Sequence, residues 1–280
     1  MGRLILNADD FGLTSGVNRA VAELHRAGVL TSATLMARGA ATEEAIAIAR
    51  SMPTLGVGCH VVLVDGEPVL PAQELPMLVD QCTGRFQPTS GAFVQRLLTG
   101  RIRSSEIEAE TAAQIALLQS RGVALTHIDT HKHVHIFPAV LRPVLRAARA
   151  AGIRFVRNPF EPVWSRRATP HAPWLRRAEV SLLRLLEPAF RRIVAEEGFT
   201  TTDGALGVLA TGTLDAATLA ALLSNLPVGT WELVTHPGYN DADLARAHTR
   251  LLASRDTERL ALSAIDVNTE LISFSRLGQG

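Results

Sequence analysis

Residues 4–36 read LILNADDFGLTSGVNRAVAELHRAGVLTSATLM, and this stretch predicts a βαβ unit. Residues 4–8 form an apolar run typical of a buried strand, and residues 32–36 form a second one. Between them, residues 17–27 carry apolar side chains at helical spacing, and Gly28 follows as a stop signal. A strand, a crossover helix and a second strand in this order pair their strands in parallel.

The same alternation of strand-like and helix-like segments continues along the chain. Further strands are predicted at residues 56–64, 125–129, 153–157, 206–210, 231–235 and 271–274. Further helices are predicted at residues 42–50, 105–122, 138–151, 216–224 and 241–253. About eight parallel strands close a barrel, so we expect an α/β fold of the distorted (β/α) barrel type. An open, doubly wound parallel sheet is the alternative, because a sequence does not show closure.

Length and composition favour one globular domain over residues 1–280. The chain is 47% hydrophobic and 20% charged, which is typical of a globular protein with a large core. Its net charge is only +1 and the basic residues are dispersed, so no nucleic-acid partner is expected. Residues 158–204 interrupt the βα alternation, and we interpret them as a helical insertion.

The cysteines and the start of the chain favour a reducing compartment. Cys59 and Cys82 have neither CxxC spacing nor a paired framework, so no disulfide scaffold or thiolate metal site is expected. The first residues lack the pattern of a secretory leader, and no apolar run has the length of a membrane span. We therefore expect a cytoplasmic protein.

Polar side chains that can bind metal recur at the carboxyl ends of the predicted strands. The first strand ends in Asp9 and Asp10, the third carries His60, the fourth leads to His131, and a later one ends in His236. In a βα barrel these strand ends meet at the rim that holds the active site. Adjacent carboxylates repel each other unless a cation or a shared proton relieves the repulsion. A capped turn would explain the two aspartates alone, but the predicted helix begins several residues later.

The segment HIDTHKHVH, residues 127–135, concentrates polar residues at a spacing of two. In an extended chain the five alternate residues share one face: His127, Asp129, His131, His133 and His135. Any one of these histidines could be a hydrogen-bonded core residue, whereas the cluster favours metal binding or catalysis. Not all five can be ligands.

These motifs resemble those of the YdjC-like carbohydrate deacetylases. The segments that carry the resemblance are NADDFGLTSGVNRA, TSATLM, GVGCHVVLVDGEPV, THIDTHKHVHIFP and THPGYND, and it extends from residue 4 to about residue 274. It is weakest over residues 164–198. The family includes chito-oligosaccharide deacetylases and hopanoid-associated deacetylases. The resemblance implies a distorted βα barrel that acts on N-acetylated sugars, often as a dimer.

The resemblance also implies roles for individual residues. One divalent metal would be held by Asp10, His60 and His131. Asp9 takes the place of the catalytic carboxylate, and His236 that of the general acid. The residues expected to bind substrate are His133, Arg157 and Tyr239. The family implies Mg²⁺, while two imidazoles and one carboxylate also suit Zn²⁺ or Mn²⁺.

The implied reaction is hydrolysis of the linear amide C–N bond of an N-acetylated oligosaccharide or glycolipid, which releases acetate. The metal would polarise the carbonyl and acidify a water, Asp9 would accept a proton, and His236 would protonate the departing amine. One alternative is another metal-dependent barrel hydrolase or phosphoesterase, although those usually carry an HxH pair where this chain has Asp9 and Asp10. The other is a non-catalytic carbohydrate-binding barrel.

The pattern around residues 174–196 predicts an amphipathic helix, which is a candidate surface for contact with a second chain or a membrane. Its apolar face comprises Trp174, Leu175, Leu182, Leu186, Phe190 and Ile193, and its flanking arginines are Arg176, Arg177, Arg184, Arg191 and Arg192. Such a face more often packs on protein, as a lid or a dimer interface, than it lies on a membrane. We therefore expect a homodimer, with peripheral membrane contact as the alternative if the substrate is a glycolipid.

Overall fold

The computed structural model describes residues 2–169, 172–224, 226–247 and 249–278. Within these ranges the strands are β1 (Arg3–Phe11), β2 (Ser32–Leu35), β3 (Gly56–Val61), β4 (Leu125–Thr130), β5 (Phe155–Val156), β6 (Gly204–Leu206), β7 (Thr230–Thr235) and β8 (Glu270–Leu271). The helices are α1 (Ser15–Arg26), α2 (Thr42–Ser51), α3 (Ser90–Leu98), α4 (Ser104–Ser120), α5 (Pro138–Ala150), α6 (Trp174–Leu183), α7 (Glu187–Glu196), α8 (Ala216–Ser224), α9 (Ala242–Arg246) and α10 (Ala253–Ser263).

The strands form one parallel sheet in the order β5-β4-β3-β2-β1-β7-β6, with β8 paired to the first residues of β1. The two outer strands of this order are β5 and β6. Residues that precede and begin β6 form backbone hydrogen bonds with residues in and around β5. Thr200 exchanges backbone hydrogen bonds with Arg154 and Val156, and the Ala205 N–H donates to the Phe160 carbonyl. The sheet therefore curls into a distorted parallel barrel, and the predicted fold class is confirmed.

The sequence of the first βα unit explains its structure. In β1, residues 4–11 are all buried, since this central strand is covered on both sides. The Thr14 hydroxyl accepts a hydrogen bond from the Val17 N–H and so caps α1. Val17, Val21 and Leu24 are buried at helical spacing and pack on the sheet. The carboxyl end of β1 thereby holds Asp9 and Asp10 at the barrel rim.

One of the predicted helix positions is wrong. Of the helix predicted over residues 241–253, the structure has α9 at Ala242–Arg246, which Asp241 caps, and an extended chain at Ala247. A separate helix, α10, begins only at Ala253 and continues to Ser263. The helix predicted over residues 105–122 is confirmed as α4, Ser104–Ser120, which begins without a side-chain cap hydrogen bond. Helix α10, which the sequence did not predict as a separate element, packs next to the rim.

The helix predicted around residues 174–196 is two helices, α6 and α7. A short 3-10 turn at Arg184–Leu186 separates α6 from α7, and Pro188 lies in the first turn of α7. Proline cannot continue a helix from the preceding turn, whereas it is favourable at a helix start. Phe190 and Ile193 on α7 are buried against the barrel, while much of α6 is exposed. None of the described helices is long and apolar enough to cross a membrane.

Candidate metal centre and active site

The carboxyl ends of β1, β3 and β4 bring Asp10, His60 and His131 together. Asp10 Oδ1 lies 3.4 Å from His60 Nε2 and 3.2 Å from His131 Nδ1. The two imidazole nitrogens are 3.3 Å apart. The three atoms form a nearly equilateral triangle, and they belong to the three residues that the family resemblance implies as metal ligands. We call this set the ligand triangle.

The ligand triangle has the dimensions that a divalent cation requires. Ligand atoms about 2.1 Å from one cation are about 3.0 Å apart at a right angle and about 3.4 Å apart at the tetrahedral angle. The observed separations lie within this range. Asp10 Oδ1 is buried and accepts no hydrogen bond from any residue that the structure describes. A cation would supply the partner that this oxygen lacks, so the residues present fit a metal.

The segment that carries His131 is not extended, and the prediction of five polar residues on one face is wrong beyond Thr130. The Thr130 hydroxyl oxygen accepts the His135 N–H at 3.0 Å and lies 2.8 Å from His135 Nδ1. These contacts fold residues His131–Ile136 into a 3-10 turn with Lys132 and His133 in the left-handed region. Such backbone costs about 1–3 kcal/mol per residue and is concentrated at functional sites.

The other histidines of this segment have different environments. His127 stacks on Phe274 at 3.9 Å, and burial lowers its pKa to about 3. His135 lies 3.2 Å from the Arg157 carbonyl oxygen, and burial lowers its pKa to about 4. Both are therefore neutral core residues at neutral pH. His133 has a buried Nδ1 with no partner among the described residues, and burial lowers its pKa as well.

A second layer of charged groups orients the ligand triangle. His60 Nδ1 lies 2.8 Å from Asp129 Oδ1, which fixes the ring and leaves Nε2 for the metal. Arg157, fully buried, donates to Asp129, to both oxygens of Asp9 at 2.6 and 2.8 Å, and to Glu232 at 2.8 Å. The predicted substrate contact of Arg157 is not compatible with this position, because the guanidinium is enclosed beneath the site.

Asp9 and His236 form a pair beside the ligand triangle. Asp9 Oδ1 accepts from Asn7 at 2.9 Å and Thr34 at 3.0 Å, while Asp9 Oδ2 lies 3.8 Å from His236 Nε2. Burial alone would raise the pKa of Asp9, but the Arg157 guanidinium holds it well below its usual range. Burial lowers the pKa of His236 to about 4. At neutral pH the pair is thus a carboxylate facing a neutral imidazole.

Tyr239 is directed away from these groups, towards the surrounding helices. Its ring lies between the guanidinium groups of Arg19 at 3.4 Å and Arg259 at 4.2 Å. Its hydroxyl donates to Glu23 at 2.5 Å. These contacts attach the loop after β7 to α1 and α10, and they do not bring Tyr239 to the ligand triangle.

Sequence reasoning missed three charged residues that contact the site. Glu232 interrupts the apolar strand β7, and that interruption was a usable signal. Arg255 donates to Asp10 Oδ2 at 2.5 Å, and Glu258 accepts the backbone N–H of His236 at 2.6 Å. Both lie on α10 among other charged residues, so their burial could not be predicted from the sequence.

The affinity of the ligand triangle for a divalent cation is expected to rise with pH. Burial lowers the pKa of His60, but the Asp129 and Asp10 carboxylates outweigh burial and raise it to about 10. A proton on Nε2 competes with the cation for one lone pair, so metal binding must release that proton. The Kd for Mn²⁺ should fall about tenfold per pH unit between about pH 6 and pH 8, as measured by calorimetry. A Kd independent of pH over this range would contradict the prediction.

The structure is thus a parallel α/β barrel with a two-histidine, one-aspartate cluster at the carboxyl ends of its strands. The chain belongs to the YdjC-like family, because residues 3–271 match the family model described as YdjC-like protein. The family predicted from the sequence motifs is confirmed.

Individual relatives agree with this membership. A carbohydrate deacetylase of Brevibacillus brevis is 33% identical over an alignment of 291 residues, gaps included, that covers 99% of this chain and 100% of that protein. A chitooligosaccharide deacetylase of Salmonella typhimurium is 39% identical over 152 residues, covering 54% of this chain and 57% of that protein. A solved structure from Enterococcus faecalis V583, described provisionally as a cellobiose-phosphate cleavage protein, has a TM-score of 0.76 and 26% identity and covers 98% of both chains.

Proposed function

We propose that this protein is a metal-dependent carbohydrate N-deacetylase, which hydrolyses the amide bond of an N-acetylated sugar and releases acetate. The observation that carries the proposal is the ligand triangle with Asp9 and His236 next to it. Relatives named carbohydrate deacetylase and chitooligosaccharide deacetylase support the reaction class.

We also propose a cytoplasmic location. The protein's two cysteines, Cys59 and Cys82, are both free, as is typical of proteins in a reducing compartment.

The proposed metal ligands are Asp10, His60 and His131. A divalent cation held there would polarise the acetyl carbonyl and lower the pKa of a water molecule. Mg²⁺ is the ion that the family resemblance implies, whereas the two imidazole ligands favour Zn²⁺ or Mn²⁺. Asp129 holds His60 through the nitrogen opposite the site, so the ring cannot turn away from it.

Asp9 is proposed as the group that accepts the proton of the attacking water. Its low pKa keeps it ionised at every working pH, and Arg157 fixes the direction of both oxygens. Oδ1 is occupied by three donors, so Oδ2, which faces His236, is the oxygen available for proton transfer. An oriented carboxylate of low basicity can serve when the water itself has been acidified.

His236 is proposed to carry that proton to the departing amine. Because burial lowers its pKa to about 4, the imidazole holds no extra proton in the resting protein and must receive one during the reaction. Asp9 Oδ2 is 3.8 Å from its Nε2, close enough to deliver the proton after a small movement. His133, on the turn beside the ligand triangle, remains the proposed substrate contact.

A substrate panel tests this function and separates it from its alternatives. N-acetylated oligosaccharides and glycolipids are incubated with the protein, and released acetate is measured with and without a chelator; phosphorylated sugars are assayed for released phosphate. We expect acetate from at least one N-acetylated sugar and none after chelation. Phosphate release without acetate release would indicate a phosphoesterase, and metal binding without either product would indicate a carbohydrate-binding barrel.

The exposed side of α6 is the proposed contact between two copies of the chain. Its large apolar side chains remain exposed to solvent: Trp174 by 74%, Leu175 by 63%, Leu182 by 66% and Leu185, just beyond the helix, by 74%. Neighbouring arginines pair with glutamates: Arg176 with Glu179 at 3.2 Å, and Arg184 with Glu187 at 3.3 Å. Paired arginines offer little net charge to an anionic membrane, so a protein partner is favoured.

Changing Trp174 and Leu182 to glutamate is therefore expected to convert a dimer into a monomer, because the charges would be buried in the interface. Light scattering measures the mass in solution, and Arg167→Glu is the control at an exposed position outside this stripe. The wild type should not float with anionic vesicles. Flotation that the double variant loses, with an unchanged mass, would support membrane contact instead.

A further inference from the structure

Helix α10 presents two buried charged side chains towards the site. Arg255 is 0% exposed and Glu258 is 1% exposed, whereas the side chains of Asp256 and Arg259 on the same helix are partly exposed. At a spacing of three residues they share one face of the helix. Asp256 and Arg259, by contrast, pair with each other on the outer side at 2.6 Å. Buried charges are retained only where each has a specific partner, so the partners define their role.

The partner of Arg255 is the aspartate of the ligand triangle. Its Nη2 donates to Asp10 Oδ2 at 2.5 Å, and its Nε donates to the Leu251 carbonyl at 3.1 Å. With Oδ2 held in this way, only Oδ1 is directed at His60 and His131. Arg255 Nη1 has no acceptor among the described residues, so the fold alone does not satisfy this guanidinium.

The partner of Glu258 is the backbone of the loop that carries the proposed general acid. Its Oε2 accepts the His236 N–H at 2.6 Å, and the Gly238 N–H donates to the Arg255 carbonyl at 3.2 Å. A side chain at position 238 would begin 3.2 Å from Arg255 Cδ and 3.1 Å from Val17 Cγ2. Glycine at this position therefore allows the loop after β7 to lie close against α10.

We propose that α10 is the positioning element of the active site: Arg255 orients the ligand oxygen of Asp10, and Glu258 fixes the position of His236. The part concerning His236 rests on the proposed deacetylase function. The part concerning Asp10 is measured by metal binding alone and does not depend on which substrate is used.

Orientation and charge predict opposite effects for the loss of Arg255. The guanidinium is positive, so its repulsion alone would weaken cation binding, and its removal would tighten it. If the role of Arg255 is to orient Asp10, its removal leaves the Asp10 carboxylate free to turn, and metal binding weakens. The backbone of Asp10 lies in the left-handed region, with a φ of 62°. Loss of such outer partners typically lowers metal affinity about 10- to 100-fold.

The first experiment measures the Kd for Mn²⁺ by calorimetry on metal-free protein, with folding checked by circular dichroism. Arg255→Gln should bind Mn²⁺ about 10- to 100-fold more weakly than the wild type, and Arg255→Lys, which keeps the charge and a donor, should lie between them. Arg246→Gln, at an exposed arginine of α9, is the matched control. If Arg255→Gln binds Mn²⁺ as tightly as the wild type or more tightly, the proposal is overturned. If that variant does not fold, binding of Mn²⁺ by Arg255→Lys as tight as that of the wild type overturns it.

The second experiment separates positioning from general stability in the Glu258 variants. Glu258→Met should lower kcat about tenfold or more while the Mn²⁺ Kd stays within about twofold. Glu258→Gln should recover most of kcat, since its amide oxygen can accept the same N–H, and Asp256→Asn is the control on the outer side of α10. Normal kcat in Glu258→Met, or an equal loss of kcat and metal affinity, overturns the proposal. A wild type that binds Mn²⁺ but releases no acetate would instead refute the deacetylase function.

Discussion

Replacing His60 with alanine is expected to remove metal from the protein and to abolish acetate release with it. Two ligands would remain, and the loss should exceed the roughly 10- to 100-fold that removal of an outer partner costs. Asp10→Ala and His131→Ala should behave alike, because the three ligand atoms lie 3.2–3.4 Å from one another and belong to one centre. Metal content is measured by elemental analysis after dialysis.

The matched control for this prediction is His25→Ala. His25 lies at the end of α1, where its nitrogens contact the Leu30 carbonyl and the Thr54 hydroxyl, and it has no contact with the ligand triangle. That variant should retain metal. Full metal occupancy in two of the three ligand variants would show that the centre lies elsewhere.

Asp9→Asn is expected to retain metal and to lose most of its turnover. The change keeps the shape of the side chain but removes its basicity, and removal of a general base typically costs about 10²- to 10⁴-fold in rate. Asp9 also belongs to a second possible metal group with His60 and Asp129. However, Arg157 already donates to both of those aspartates, and a cation there would face its positive charge.

The measurement for Asp9→Asn combines kcat with metal content, and the melting temperature serves as the folding control. An amide can offer only one oxygen to Arg157, so some loss of stability is expected alongside the loss of rate. Near-normal kcat would exclude Asp9 as the proton acceptor. Loss of metal from this variant would favour the second group over the ligand triangle.

The barrel could be predicted because its signals are local. Apolar strands that alternate with periodic helices specify parallel βαβ units, and the unit in residues 4–36 contains every such signal. Strand ends in a parallel barrel meet at one rim, which predicts that Asp9, Asp10, His60, His131 and His236 lie close together. The choice of Asp10, His60 and His131 as the ligands came from the family resemblance. The turn after Thr130 was not predictable in this way, because it depends on hydrogen bonds that His135 makes to Thr130 and to the distant Arg157 carbonyl.

The pairings within the second layer of the site could not be predicted, for a physical reason. A charged residue is expected to face water, and only a specific partner reverses that expectation. The partners here are far away along the chain: Arg255 and Asp10 are separated by 245 positions, and Arg157 and Asp9 by 148. Local periodicity carries no information about such pairs. The division of α9 from α10 was missed for the same reason, since α10 is fixed by its contacts with the rim.

Titration of metal-free protein with a divalent cation, while acetate release from an N-acetylated sugar is recorded, shows whether the cation is required for the reaction. No release above background is expected without the cation. Release should then increase in proportion to added cation and level off at one equivalent per chain, since the ligand triangle forms one centre. Undiminished acetate release by the metal-free protein would contradict a metal-dependent reaction.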